Sequence, residues 1–113
     1  MRGSIMRYEV RIGAGAERDL ESIYDYIAAN DSVARAVQML DELVQVVDSL
    51  ASMPERGSCP RELMGLGLTQ YRQLIREPWR IIYRVLGEQV FIDVVADGRR
   101  DMRSLLAQRL LDV

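Results

Sequence analysis

The 113-residue chain has no lysine and no histidine, and it holds one cysteine, one tryptophan and one phenylalanine. All fifteen basic residues are therefore arginine, whose pKa above ~12 keeps it protonated. With His and Lys missing, general acid–base chemistry would fall to Asp, Glu, Tyr or Cys59. Cys59 has no second cysteine to bridge to, which points to a reducing cytoplasm, and beside Pro60 it reads as an inert loop thiol. No spacing resembles a zinc site or a calcium loop, so neither a metal nor another cofactor is expected. Gly65-Leu66-Gly67 is not followed by the basic residue of a phosphate loop. No apolar run reaches the ~18 residues of a membrane span, and no signal peptide opens the chain. Prolines are few and low-complexity tracts absent, which argues against disorder.

The opening Met1-Arg2-Gly3-Ser4 resembles an expression-vector leader. Residues 1–5 are accordingly set apart, with Met6 as the natural start and one domain expected over residues 6–113. The net charge of −2 hides an asymmetry: residues 1–55 carry five arginines against ten acids, and residues 56–113 ten against seven. The second half is the expected place for an anionic ligand or an acidic partner.

Residues 7–12 alternate polar and apolar in the period of a half-buried strand. From Ala16 the period becomes helical: Leu20, Ile23, Tyr24 and Ile27 share a face, with Glu17, Asp19, Glu21 and Asp25 opposite. Asp31 or Ser32 can cap a second helix, whose stripe is Val33, Val37, Leu40, Val44, Val47 and Leu50. The short break between the helices makes them an antiparallel hairpin. Residues 54–68 read as loop, with one turn near Arg61–Met64. Strands follow over Leu68–Arg76, Trp79–Leu86 and Gln89–Ala96, and then a helix over Arg99–Leu111. The expected class is α+β, in the order β-α-α-β-β-β-α, with an antiparallel meander packed on the helical hairpin.

Strand alternation places Trp79, Ile81, Tyr83 and Val85 with Val90, Ile92, Val94 and Ala96 on one apolar face, which would receive the hairpin. The other face would carry Arg72, Leu74, Arg76, Arg80, Ile82, Arg84, Phe91, Asp93 and Val95. An apolar island ringed by arginine needs a cover. The last helix, through Leu105, Leu106 and Leu110, would share that task with a partner's segment.

Ala16-Glu17-Arg18-Asp19-Leu20 with Tyr26-Ile27, Tyr71-Arg72, Pro78-Trp79-Arg80-Ile81-Ile82-Tyr83-Arg84 and Asp97-Gly98-Arg99-Arg100-Asp101-Met102 together resemble the RelE/ParE toxin superfamily. They lie closer to its ParE branch, and the resemblance spans nearly all of residues 6–111 in the same element order. It implies the toxin of a type II toxin–antitoxin system, with a role in plasmid stabilisation. A cognate antitoxin would neutralise the toxin in a hetero-oligomer, and neither a membrane nor a sequence-specific nucleic acid is an implied partner. The ParE branch poisons DNA gyrase, whereas the RelE branch cleaves mRNA on the ribosome. In the nuclease alternative Arg80 and Arg100 match phosphate-holding arginines, with Tyr71, Tyr83 or Glu77 left to move protons. The family often has His where Asp97 stands, a second basic residue near Leu74 and, in one subgroup, a catalytic Tyr near Leu106. These losses, with the acidic net charge, favour a non-enzymatic gyrase poison. A non-toxic binding module of the same fold is the remaining alternative. The expected target-binding residues are Arg80, Arg99, Arg100 and Tyr71; the expected antitoxin-binding residues are Arg72, Leu74, Arg76, Ile82, Arg84 and Phe91, facing an acidic segment.

Overall fold

A computed structural model describes residues 7–111; the expected leader boundary near Met6 lies outside them. Strand β1 (Glu9–Ile12) leads into helices α1 (Ala14–Asn30) and α2 (Val33–Asp48), and a 3₁₀ turn at Ser49–Ala51 closes the hairpin's second arm. A short helix α3 (Arg61–Met64) interrupts the loop before β2 (Tyr71–Arg76), β3 (Trp79–Leu86) and β4 (Gln89–Asp97). Helix α4 (Met102–Leu106) then runs into a π turn at Ala107–Leu111. The class and element order are those expected. The sheet order is β1-β4-β3-β2: the meander is antiparallel, and β1 adds a parallel edge beside β4, from Glu9 opposite Gln89 to Ile12 opposite Ile92.

Local chemistry sets the element ends. Ser32 caps α2 by accepting the Arg35 amide at 3.1 Å. Asp101 caps α4 by accepting the Ser104 amide at 3.2 Å, so that helix begins at Met102 rather than Arg99. Arg99 and Arg100 therefore precede it.

Both faces of the sheet are covered. The hairpin brings Ala16, Leu20, Ile23, Leu43, Val47 and Leu50 onto Leu74, Ile81, Tyr83, Val90, Ile92 and Val95. On the opposite face Leu63, Met102, Leu105 and Leu106 bury Tyr71, Ile82, Val94 and Ala96. The chain itself thus buries Ile82 on this face and Leu74 and Val95 on the other, while Phe91 stays partly exposed.

Two features correct the expected faces. The two-residue turn at Glu77-Pro78 pairs Arg76 with Trp79 and Leu74 with Ile81, so even-numbered residues of β2 face with odd-numbered residues of β3. Arg72, Leu74 and Arg76 therefore lie on the hairpin face, not beside Arg80, Ile82 and Arg84. In β4, Ile82 pairs with Val94 while Tyr83 pairs with Ile92, leaving Asp93 as the extra residue of a β-bulge. One inserted residue reverses the alternation beyond it, so Val94 and Ala96 turn to α4 and Val95 to the hairpin.

The stripe on α2 is also corrected. Ala36, Leu43 and Val47 are its buried residues, while Val33, Val37 and Val44 stay exposed and continue past the half-buried Leu40. Among the described residues no helix is long and apolar enough to cross a membrane.

Candidate functional site

The face of the sheet away from the hairpin opens at one end into a cleft of about 900 Å³. Gln73 and Ile75 of β2 and Arg80 of β3 form its floor; α3 and the start of α4 form its walls. Arg80 is only 12% exposed, and each of its three guanidinium nitrogens donates a hydrogen bond. Both terminal nitrogens donate to the two carboxylate oxygens of Glu62 at 2.9 Å, and Nε donates to the Gln73 side-chain oxygen at 2.7 Å. The bidentate pair holds the Glu62 carboxyl at about 2, well below the ordinary carboxylate value, because Arg80 bonds its charged form. Gly98 leaves room for the arginine: a Cβ there would stand 2.8 Å from Arg80 Cδ.

The rim is different. Arg61, Arg100 and Arg103 are exposed, and none has a carboxylate at ion-pair distance among the described residues. Cys59 sits in the wall with its thiol directed at the Pro60 and Leu68 carbonyls. Among the described residues no three His, Cys, Asp or Glu side chains converge as metal ligands would.

The residues expected to move protons are not gathered here. Tyr83 is fully buried on the hairpin face, where its hydroxyl accepts the Gly57 amide at 3.0 Å. Burial raises its pKa above 10, away from any role as a base near neutrality. Tyr71 shares the face of Arg80 but is buried beneath α4 and stacked under Arg84, 5.9 Å from its ring centre. Glu77 is exposed in the β2–β3 turn and does not line the cleft.

Of the expected target-binding set, Arg99 and Arg100 are exposed, whereas Arg80 and Tyr71 are withdrawn. Asp97, at the position where histidine was expected in relatives, holds the Arg99 side chain at 2.6 and 2.9 Å, and that pairing lowers its own pKa to about 2. Arg99 and Arg100 also border a second hollow of about 410 Å³, walled by Trp79, Ile27 and Tyr26, the last 66% exposed.

The expected antitoxin-binding set does not share a surface. Leu74 and Ile82 are buried in opposite cores. Arg72 donates to the Glu55 and Gly57 carbonyls, and Arg76 is paired with Glu42. Arg84 binds Asp93 at 2.8 Å and lies over Phe91, which keeps part of its surface. An apolar groove lies elsewhere. Leu20, Tyr24, Leu40 and Val44 line a groove of about 440 Å³ between α1 and α2, bordered by Glu17, Glu21 and Asp25.

Sequence reading missed Glu62, Gln73 and Gly98, the partners that seat Arg80, because no local pattern joins them across the loop. It also placed Asp19 on a solvent face. Asp19 instead accepts the Val95 amide at 2.9 Å and both terminal nitrogens of Arg109 at 2.9 and 3.0 Å.

Residues 10–102 match the family described as the ParE toxin of type II toxin–antitoxin systems. The chain is 29% identical over 91 residues to toxin ParE3 of Caulobacter vibrioides, spanning 80% of this chain and 87% of that one. Its fold is similar to that of the chromosomal ParDE toxin–antitoxin system of P. aeruginosa, with a TM-score of 0.69 at 21% identity over 83% of this chain and 98% of that one. It is likewise similar to the toxin–antitoxin complex RelBE2 of Mycobacterium tuberculosis, with a TM-score of 0.61 at 22% identity over 83% and 94% of the two chains. A ParDE system and a RelBE complex thus both resemble this fold, and fold alone does not choose between them.

Proposed function

The chain belongs to the ParE toxin family of type II toxin–antitoxin systems, and from that premise we propose that it poisons DNA gyrase in the cytoplasm and is held inactive by a cognate antitoxin. One observation carries the choice of target. Arg80, the phosphate-holding candidate, is neutralised by Glu62 in a cleft that neither Tyr71, Tyr83 nor Glu77 lines. Phosphodiester cleavage by the 2′-hydroxyl needs a group to accept its proton, and arginine does not serve near neutrality. The cleft's own carboxylates, Glu62 and Asp101, are engaged by Arg80 and Ser104, which lowers their basicity. Binding a protein target needs shape and charge instead. Exposed Tyr26, Arg99 and Arg100 beside Trp79 have the composition of interface hot spots. They replace Arg80 and Tyr71 in the target-binding surface.

The antitoxin is assigned to the hairpin groove. Its apolar floor fits one face of an amphipathic helix, and its border of Glu17, Glu21 and Asp25 favours basic residues flanking that face. This moves the antitoxin away from the arginine-rich strands.

Purified toxin should inhibit supercoiling by gyrase and leave ribosome-bound mRNA intact, with Arg100→Ala weakening the inhibition. Codon-positioned cuts in that mRNA, lost on Tyr71→Phe, would assign the chain to the nuclease branch.

A further inference from the structure

We propose that Glu62 determines what the cleft accepts: its carboxylate occupies, from within the chain, an oxyanion site on Arg80 that would otherwise hold a phosphate of single-stranded RNA. The inference rests on the reading that the toxin is not a nuclease, and it names the residue that keeps RNA out.

The bond geometry shows what kind of ligand the site holds. Arg80 presents a two-pronged donor edge, and Glu62 meets it with two oxygens at 2.9 Å each. A phosphate uses the same parallel pair of hydrogen bonds on arginine. The arginine is also preorganised. Gln73 fixes Nε at 2.7 Å, and Gly98 admits the stem at a distance no side chain would allow. Only the occupant is unusual, being a carboxylate borne on the four-residue helix α3.

The surroundings suit an anionic chain passing over that point. Four arginines line the cleft, Arg61, Arg80, Arg100 and Arg103, against two carboxylates, Glu62 and Asp101. Asp101 is already engaged in capping α4 through the Ser104 amide and hydroxyl. Glu62 thus cancels the one cation at the floor and leaves the exposed three at the rim. Its carboxyl stays ionised at any pH near neutrality, so protonation does not open the site. Removing the charge, while keeping the shape, would free the donor edge for a phosphate.

The test measures fluorescence anisotropy of a short labelled single-stranded RNA with the isolated full-length protein at low salt. Glu62→Gln and Glu62→Ala should each bind it about tenfold or more tightly than wild type, as expected for a recovered charge-assisted contact. The gain should fall steeply with added salt. The double variant Glu62→Gln/Arg80→Gln should lose it. Glu88→Gln makes the same change of net charge in the exposed β3–β4 turn and should show no gain. Gln keeps the volume of Glu62 and one acceptor for Arg80, so that variant remains informative if Ala loosens α3. The inference is overturned if wild type already binds as tightly as Glu62→Gln. It is equally overturned if the gain survives without Arg80, or if Glu88→Gln matches it. Cleavage of ribosome-bound mRNA by wild type would instead defeat the proposed target, and the separate mRNA assay, not this binding assay, reads it.

Discussion

Ile75 and Ile82 lie on the same face of the sheet, and their environments separate burial from exposure at the scale of single side chains. Ile82 is fully buried beneath Leu105 and Leu106, whereas Ile75 is 56% exposed in the cleft floor. Truncating a buried isoleucine removes contacts and leaves a cavity, so Ile82→Ala should cost about 2–5 kcal/mol. Ile75→Ala should stay within about 0.5 kcal/mol, as at ordinary surface positions. Urea denaturation of the two variants measures both. Similar losses would mean that α4 does not seal this face of the sheet. The same scale explains Gly57, where a Cβ would stand 2.5 Å from the Gln73 carbonyl and 2.7 Å from the Tyr83 hydroxyl. Its backbone must approach that closely for the buried hydroxyl to find its hydrogen bond.

At the scale of elements, the strands and the helical hairpin were readable because period and punctuation agree, from the Arg7–Ile12 alternation to the cap at Ser32. The faces were misread for reasons of parity. A strand's alternation is legible only until a residue is inserted, and nothing in Phe91-Ile92-Asp93-Val94-Val95 marks Asp93 as the insertion. The contacts it creates are equally nonlocal. The bulge leaves the Val95 amide to be satisfied by Asp19, and Arg109 then bonds Asp19 and the Asp93 carbonyl at 3.0 Å, tying α1, β4 and the π turn into one clasp. Gly15 leaves space for that guanidinium, since a Cβ there would stand 2.6 Å from its Nη2. Arg109→Ala should destabilise the chain by about 1–3 kcal/mol. Amide exchange should quicken at Val95 and through α4 while the α1–α2 interface keeps its protection. Unchanged exchange at Val95 would mean that the clasp holds nothing. The exposure of Arg99 and Arg100 was legible in the sequence, but the pairing of Glu62 was not, because its partner Arg80 lies across a loop and the strand β2.

For the molecule as a whole, the charge asymmetry seen in the sequence becomes a division of surfaces. The acidic half presents the hairpin groove, the arginine-rich half presents the cleft, and the two halves meet at the Tyr26–Arg99–Arg100 edge. If antitoxin and gyrase use these different surfaces, substitutions should separate the two activities. Val44 lines the groove, and Val37 extends its apolar stripe at 45% exposure, so a charged side chain at either position costs the monomer little. A glutamate there would meet Glu17, Glu21 and Asp25 and would leave a partner's apolar face against a desolvated charge. Val37→Glu and Val44→Glu should therefore arrest growth as wild type does but escape neutralisation, with antitoxin affinity reduced about tenfold or more. Arg100→Ala should show the reverse, weakened arrest with the antitoxin still bound. Co-expression with the antitoxin followed by size-exclusion chromatography reads binding, and colony counts read arrest. Neutralisation of both glutamate variants at wild-type antitoxin levels would take the antitoxin off the groove. Loss of antitoxin binding in Arg100→Ala would mean that antitoxin and target compete for one surface, with the division of charge serving solubility rather than partner choice.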